Sequence, residues 1–180
     1  MTVPRSEPGH VGSHGPDAPP DHVAKVMAQW ARERPDLDPS PIGVIGRLHR
    51  VALRLSEELL AVYAAHGLGE GEFDVLATLR RSGAPYELTP SEVAAGTMVT
   101  SGAATKRIDR CELRGWVTRR ASDTDGRGRV VALTEEGRAL IDRAMSAHLA
   151  NEHRLVGMLP EDDRARLAHL LQVWGRALDA

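Results

Sequence analysis

The sequence predicts a mainly α-helical protein carrying one β-hairpin, and three observations lead there. Of its 180 residues 42% are hydrophobic but only 3% aromatic, so the core must be aliphatic and built on helices, which argues against an all-β sandwich. Apolar residues recur at helical spacing near both ends of the chain. Between them, two β-prone runs bracket a turn-rich segment, residues 122–128.

Taken in order, residues 1–20 hold five of the eleven prolines and three glycines with almost nothing apolar to bury, the composition of a disordered tail outside the fold. Asp21 then precedes Val23, Val26, Met27 and Trp30, a short amphipathic helix closed by Pro35 and Pro39. Pro41 suits a first helical turn, and beyond it Ile45, Leu48, Ala52, Leu55, Leu59 and Val62 recur at steps of three and four, a heptad seam on a long helix. Near the other end Thr134 caps a helix reaching about residue 157. After Pro160 a terminal helix carries Leu167, Leu170, Leu171, Trp174 and Leu178 on one stripe. These helices are more apolar than a small core between them needs, which points to a homodimer; packing within one chain is the alternative. The expected organisation is a tail (1–20), an N-terminal helix with a long dimerisation helix (21–66), a central region (67–133) and C-terminal dimerisation helices (134–180).

The central region opens with a helix over 70–81, with Phe73, Val75, Leu76 and Leu79 inward. Thr89, Pro90 and Glu92 read as an N-cap, a first-turn proline and a capping-box acid for a short helix ending near Gly96. A four-residue link leads to Ser101, which is expected to cap a second helix running to Arg114 and stopping at Gly115. Two helices so closely joined form a helix-turn-helix. On the second, Ala104, Ile108 and Cys111 make the apolar face, and Ser101, Ala103, Thr105, Lys106, Arg107 and Arg110 lie mainly on the other side. Small residues allow close approach to a DNA groove, and cations reach phosphate or the guanine edge. An ordinary solvated amphipathic helix is the alternative. The hairpin follows, with runs 116–121 and 129–133 and Arg127 between two glycines in its loop, placed to enter a narrow minor groove beside Arg129. The fold class is therefore a winged helix-turn-helix framed by N- and C-terminal dimerisation helices. Net charge is −2, yet between Thr100 and Val130 eight cations stand against four anions, and DNA is read by a local surface.

This order, with TSGAATKRIDRCELRGWVTR (100–119) and DTDGRGRVVALTEEGRAL (123–140), resembles the MarR family of winged-helix regulators over nearly all of residues 40–180. The resemblance implies a dimer built by the first and last helices. Its two recognition helices enter successive major grooves of a pseudopalindrome with half-sites about ten base pairs apart. It also implies that Asp125 is the wing acid, which in the family often pairs with a recognition-helix arginine. Cys111 stands where relatives usually carry leucine, hence a buried filler, and the first long helix lacks the reactive cysteine of the peroxide-sensing members. The extra helix with Trp30 is similar to that of the urate-responsive subgroup, whose ligand roles Trp30, Asp74 and Arg107 would fill, with Lys106 where that subgroup has asparagine. A small anionic or aromatic effector is expected; Trp30 as a packing anchor and Asp74 as a surface acid are the alternative.

Nothing in the residues suggests an enzyme: there is no G-x-S-x-G, no Walker loop, no H-E-x-x-H and no Cys/His pair suited to nucleophilic catalysis. No cofactor or metal is expected, since His148 and His153 point to different sides of a helix and Cys111 has no second cysteine. The longest uncharged stretch, residues 93–105, is too short for a bilayer, and the first twenty residues lack the apolar core of a signal peptide, so a cytoplasmic location is expected. A DNA-independent dimerisation module or antirepressor is the competing reading, and it would lack the cationic wing.

Overall fold

The structure, a computed structural model, describes residues 19–97, 99–121 and 129–180. The expected tail up to residue 18 and the wing tip with Asp125 and Arg127 lie outside these residues. Seven helices and three strands follow in the order α1 (His22–Glu33), α2 (Ile42–Ala65), α3 (Glu70–Arg81), β1 (Glu87–Leu88), α4 (Pro90–Gly96), α5 (Ser101–Leu113), β2 (Val117–Ala121), β3 (Arg129–Leu133), α6 (Glu135–Val156) and α7 (Glu161–Leu178). They fall into two compact units. One comprises the described residues up to Leu55 with the stretch from Val156 to Ala180; the other comprises the described residues from Ser56 to Leu155.

In the first unit Asp21 caps α1, its carboxylate accepting from the Ala24 N–H at 2.7 Å and from Arg47 of α2 at 2.8 Å. The Arg47 hydrogen bond, with that from Ala24, holds the Asp21 carboxyl below its ordinary range. Val23 is buried, and Gly46 leaves room for it: a Cβ there would stand 3.3 Å from the Val23 side chain. Of the seam foreseen along α2, Ile45, Leu48 and Leu55 are exposed, whereas Leu59, in the second unit, packs against the core there. Helix α7 buries no residue, and Leu167, Leu170, Leu171 and Leu178 are exposed.

The second unit holds the core. Val75, Leu76 and Leu79 of α3 pack with Val93 of α4, Ile108 and Cys111 of α5, Trp116 and Val117 beside β2, Val131 of β3 and Leu140, Ile141 and Ala144 of α6. Tyr63 stacks on Phe73 with ring centroids 4.1 Å apart, closing the end of that core. The sheet is antiparallel in the order β1-β3-β2, pairing Leu88 with Val131 and Arg119 with Val131 on opposite edges of β3. Strand β1 was not foreseen, because two residues carry no readable alternation.

Helix termini follow the capping chemistry with one correction. Thr89 caps α4 with Glu92 returning to its N–H at 2.7 Å, as the Thr-Pro-Ser-Glu pattern predicts. For α5 the cap is Thr100 and not Ser101: Thr100 is extended (ψ 152°) and accepts from the Ala103 N–H, so Ser101 is already the first helical residue. Gly115 ends the helix at φ +74°, a conformation only glycine adopts freely. Thr134 caps α6, accepting from the Gly137 N–H at 3.0 Å while its hydroxyl donates to the Gly115 carbonyl at 2.8 Å. One threonine thereby joins the start of α6 to the end of the helix-turn-helix.

Candidate nucleic-acid interface

Helix α5 is fastened to the core by Ala104, Ile108 and Cys111, all essentially inaccessible. At 100° per residue the opposite face carries Gly102, Lys106, Asp109 and Leu113, flanked by Thr105 and Arg110. All six are exposed, Leu113 by 88%. Thr105 turns its hydroxyl back onto the Ser101 carbonyl at 2.9 Å, which leaves its methyl outward. Ser101 is exposed at the helix start, and Ala103 is half-buried at the margin of the face.

The two arginines of α5 are ion-paired to α3 in this chain. Arg107 crosses to α3 and donates to Asp74 at 2.9 Å, its side chain only 22% exposed. It runs over Gly71, where a Cβ would come within 2.9 Å of its Nε. Arg110 donates to Glu72 of the same helix, and Glu72 also accepts from the Gly69 N–H at 2.7 Å. Burial raises the Glu72 pKa, but these hydrogen bonds and the Arg110 charge outweigh it and hold the carboxyl below its ordinary value. Of the three cations within α5, Lys106 alone has no carboxylate partner among the described residues. The pairing has a physical cause: α3 presents Glu72 and Asp74 within reach of the long guanidiniums of α5.

The hairpin is tied to the same helix. Arg119 of β2 donates to both Asp109 and Glu112 of α5, one turn apart on the helix. This link matters electrostatically, since Asp109 lies on the outward face, where an uncompensated carboxylate would repel phosphate. Arg120 reaches Glu87 of β1 on the other side of the sheet. Arg129 begins β3, exposed and paired in register with Ala121. Arg127 lies outside the described residues.

Of the residues expected to hold an effector, the structure brings Asp74 and Arg107 together and sets Trp30 on α1, in the other unit, 49% exposed. Cys111 is fully buried, and burial pushes its thiol up to about 12. Among the described residues no group of His, Cys, Asp and Glu could hold a metal ion, and no helix is long and apolar enough to cross a membrane. Sequence reasoning missed Gly102, Glu72 and Arg119. Gly102 and Glu72 left readable signals, a glycine set between Ser101 and Ala103 and an acid three residues after Gly69; Arg119 left none, because its partners lie across a chain reversal.

Comparison with known proteins agrees with this geometry. Residues 66–128 match the model of the MarR family. The chain is 41% identical over 149 residues to the HTH-type transcriptional regulator PecS of Dickeya dadantii, a match spanning 83% of this chain and 90% of that protein. Among solved structures it is similar to a cysteine-to-serine mutant of MarR from Escherichia coli complexed with operator DNA, with TM-score 0.63, 27% identity and coverage of 79% of this chain and 95% of that one. A further fold likeness is to BpsR of Bordetella bronchiseptica, whose DNA binding is regulated by 6-hydroxynicotinic acid, with TM-score 0.59, 23% identity and coverage of 73% and 92%.

Proposed function

Because the chain belongs to the MarR family of transcriptional regulators, we propose that it is a repressor that occupies a pseudopalindromic operator as a homodimer and leaves it when a small anionic or aromatic effector binds. DNA recognition rests above all on one observation: α5 presents an outward face around Lys106 that is exposed and whose carboxylate, Asp109, is paired with Arg119. Ser101, Thr105 and Lys106 are the major-groove contacts, Ala103 packs at the groove margin, and Arg127 and Arg129 serve the wing. Arg107 and Arg110 set the pose of the helix through α3. In support of the dimer, the apolar stripes of α2 and α7 are exposed in the single chain, as surfaces that await a partner are.

The effector reading rests on the Asp74–Arg107 pair, which spans α3 and α5. An anion that engages Arg107 competes with Asp74, loosens α5 from α3 and favours a helix spacing that no longer fits two half-sites. In support, BpsR, a protein of the same fold, has its DNA binding regulated by 6-hydroxynicotinic acid. A mobility-shift assay on the DNA upstream of the gene tests the regulator reading: salt-sensitive retardation is expected, and its absence there and on every selected sequence would sink it. For the effector, a thermal-shift screen with urate and phenolic acids is expected to yield a ligand whose stabilisation disappears in Arg107→Ala. A ligand that stabilises both proteins equally counts against that site.

A further inference from the structure

The helices of the described residues contain seven glycines, and five have a visible reason inside the molecule. Gly43 and Gly46 stand against Met27 and Val23 of α1, Gly71 lies under Arg107, Gly96 abuts Thr78, and Gly137 meets the Trp116 carbonyl. Gly102 and Gly175 have none: a Cβ built on either meets no atom of the described residues within 4 Å, and neither has a positive φ that would call for glycine. A helical glycine without such a reason is a net cost, since alanine there would restrict the unfolded chain and extend the same helix. Gly175 sits on α7, whose apolar stripe is unpartnered. Gly102 sits in the first turn of α5, four residues before Lys106 and seven before Asp109 on the outward face.

We infer that Gly102 is a specificity-determining residue, the position at which a base edge of the operator comes against the α5 backbone more closely than any side chain allows. The inference rests on the reading of α5 as the recognition helix. What the protein leaves empty at Gly102 is space for the major-groove edge of one base pair per half-site. The adjoining side chains are consistent with such an approach: Ala103 is small, and Thr105 has folded its hydroxyl onto its own helix. A methyl group at 102 would hold the helix away from the bases while leaving phosphate contacts, which carry no sequence information, largely in place.

The test is Gly102→Ala against the wild type, read in three ways: melting temperature, affinity for a duplex recovered by selection from random sequence, and affinity for a scrambled duplex of equal length. The variant is expected to melt about 2 °C higher, to bind the selected duplex at least about tenfold more weakly, and to bind the scrambled duplex as the wild type does. Equal affinity of variant and wild type for the selected duplex overturns the inference alone. So does a parallel loss on both duplexes, which would mean a general loss of DNA contact. Failure of the wild type to select any sequence overturns the regulator reading, and this inference with it.

Discussion

Lys106→Ala is the substitution that isolates the free charge of the recognition helix. In the proposed homodimer each protomer offers DNA one α5 cation that has no carboxylate partner among the described residues, two in all. Each phosphate neutralised contributes about 0.9 to the slope of log affinity against log salt, so removing two lowers the slope by about 1.8. Between about 50 and 200 mM salt the wild type should therefore lose about 12-fold more affinity than the variant. Fluorescence anisotropy titrations of one labelled duplex at five salt concentrations measure both slopes. Arg107→Ala is the matched control: Arg107 enters the complex already paired with Asp74, and removing it should change the slope by less than half as much. Parallel slopes for wild type and Lys106→Ala would refute the reasoning. Equal slope changes for the two variants would refute it as well, because Arg107 would then have exchanged Asp74 for phosphate.

Three further outcomes follow from contacts around α5. Arg119→Met should lower stability by about 1 kcal/mol, a modest figure because Asp109 and Glu112 are 56% and 40% exposed; it should also weaken operator binding by baring Asp109, and unchanged binding in a mobility shift would count against the link. The Cys111 thiol, buried and pushed up to about 12, should resist a thiol reagent at pH 8 in the native protein and react on unfolding, so prompt labelling of the native state would contradict its burial. Glu72, whose folded pKa lies below its ordinary 4.5, contributes stability that is present above about 4.5 and lost as pH falls through the folded value. Glu72→Gln should therefore be less stable than the wild type at neutral pH and converge with it in acid, and denaturant curves that stay parallel from pH 7 to 3 would exclude the effect.

Most of the fold was legible because its signals are local. The helix expected over 70–81 is α3, Glu70–Arg81, and the capping box at Thr89 and the stop at Gly115 were read from a few residues each. Strand β1 was not legible, because only its pairing with β3 makes Glu87–Leu88 a strand. The cap of α5 slipped by one residue because Thr100 and Ser101 are chemically equivalent caps, and only the backbone conformation distinguishes them. The site was legible as a helix but not as a charge pattern. A helical wheel places Arg107 and Arg110 relative to their own axis, whereas their partners Asp74 and Glu72 stand 33 and 38 residues earlier on another helix. Wherever a neighbouring element supplies a carboxylate, a cation that looks free in the sequence is already engaged.

That engagement changes what the basic character of the segment means. Arg107 and Arg110 attach α5 to α3, and Arg119 attaches it to the hairpin, so three guanidiniums spend their charge on carboxylates within this unit. The helix-turn-helix is then held as one body by ion pairs at its rim and by Ile108 and Cys111 beneath. On the function proposed above, the strip that α5 offers DNA holds Ser101, Gly102, Thr105 and Lys106, and its pose depends on the acids of α3 that pair with Arg107 and Arg110. On the proposed effector reading, such a regulator is switched without touching its reading surface: weakening Asp74–Arg107 would change how α5 is aimed while leaving Lys106 exposed. The free charge should thus set how strongly any DNA is held, the pose of α5 should set which sequence is held, and the two should respond to different substitutions.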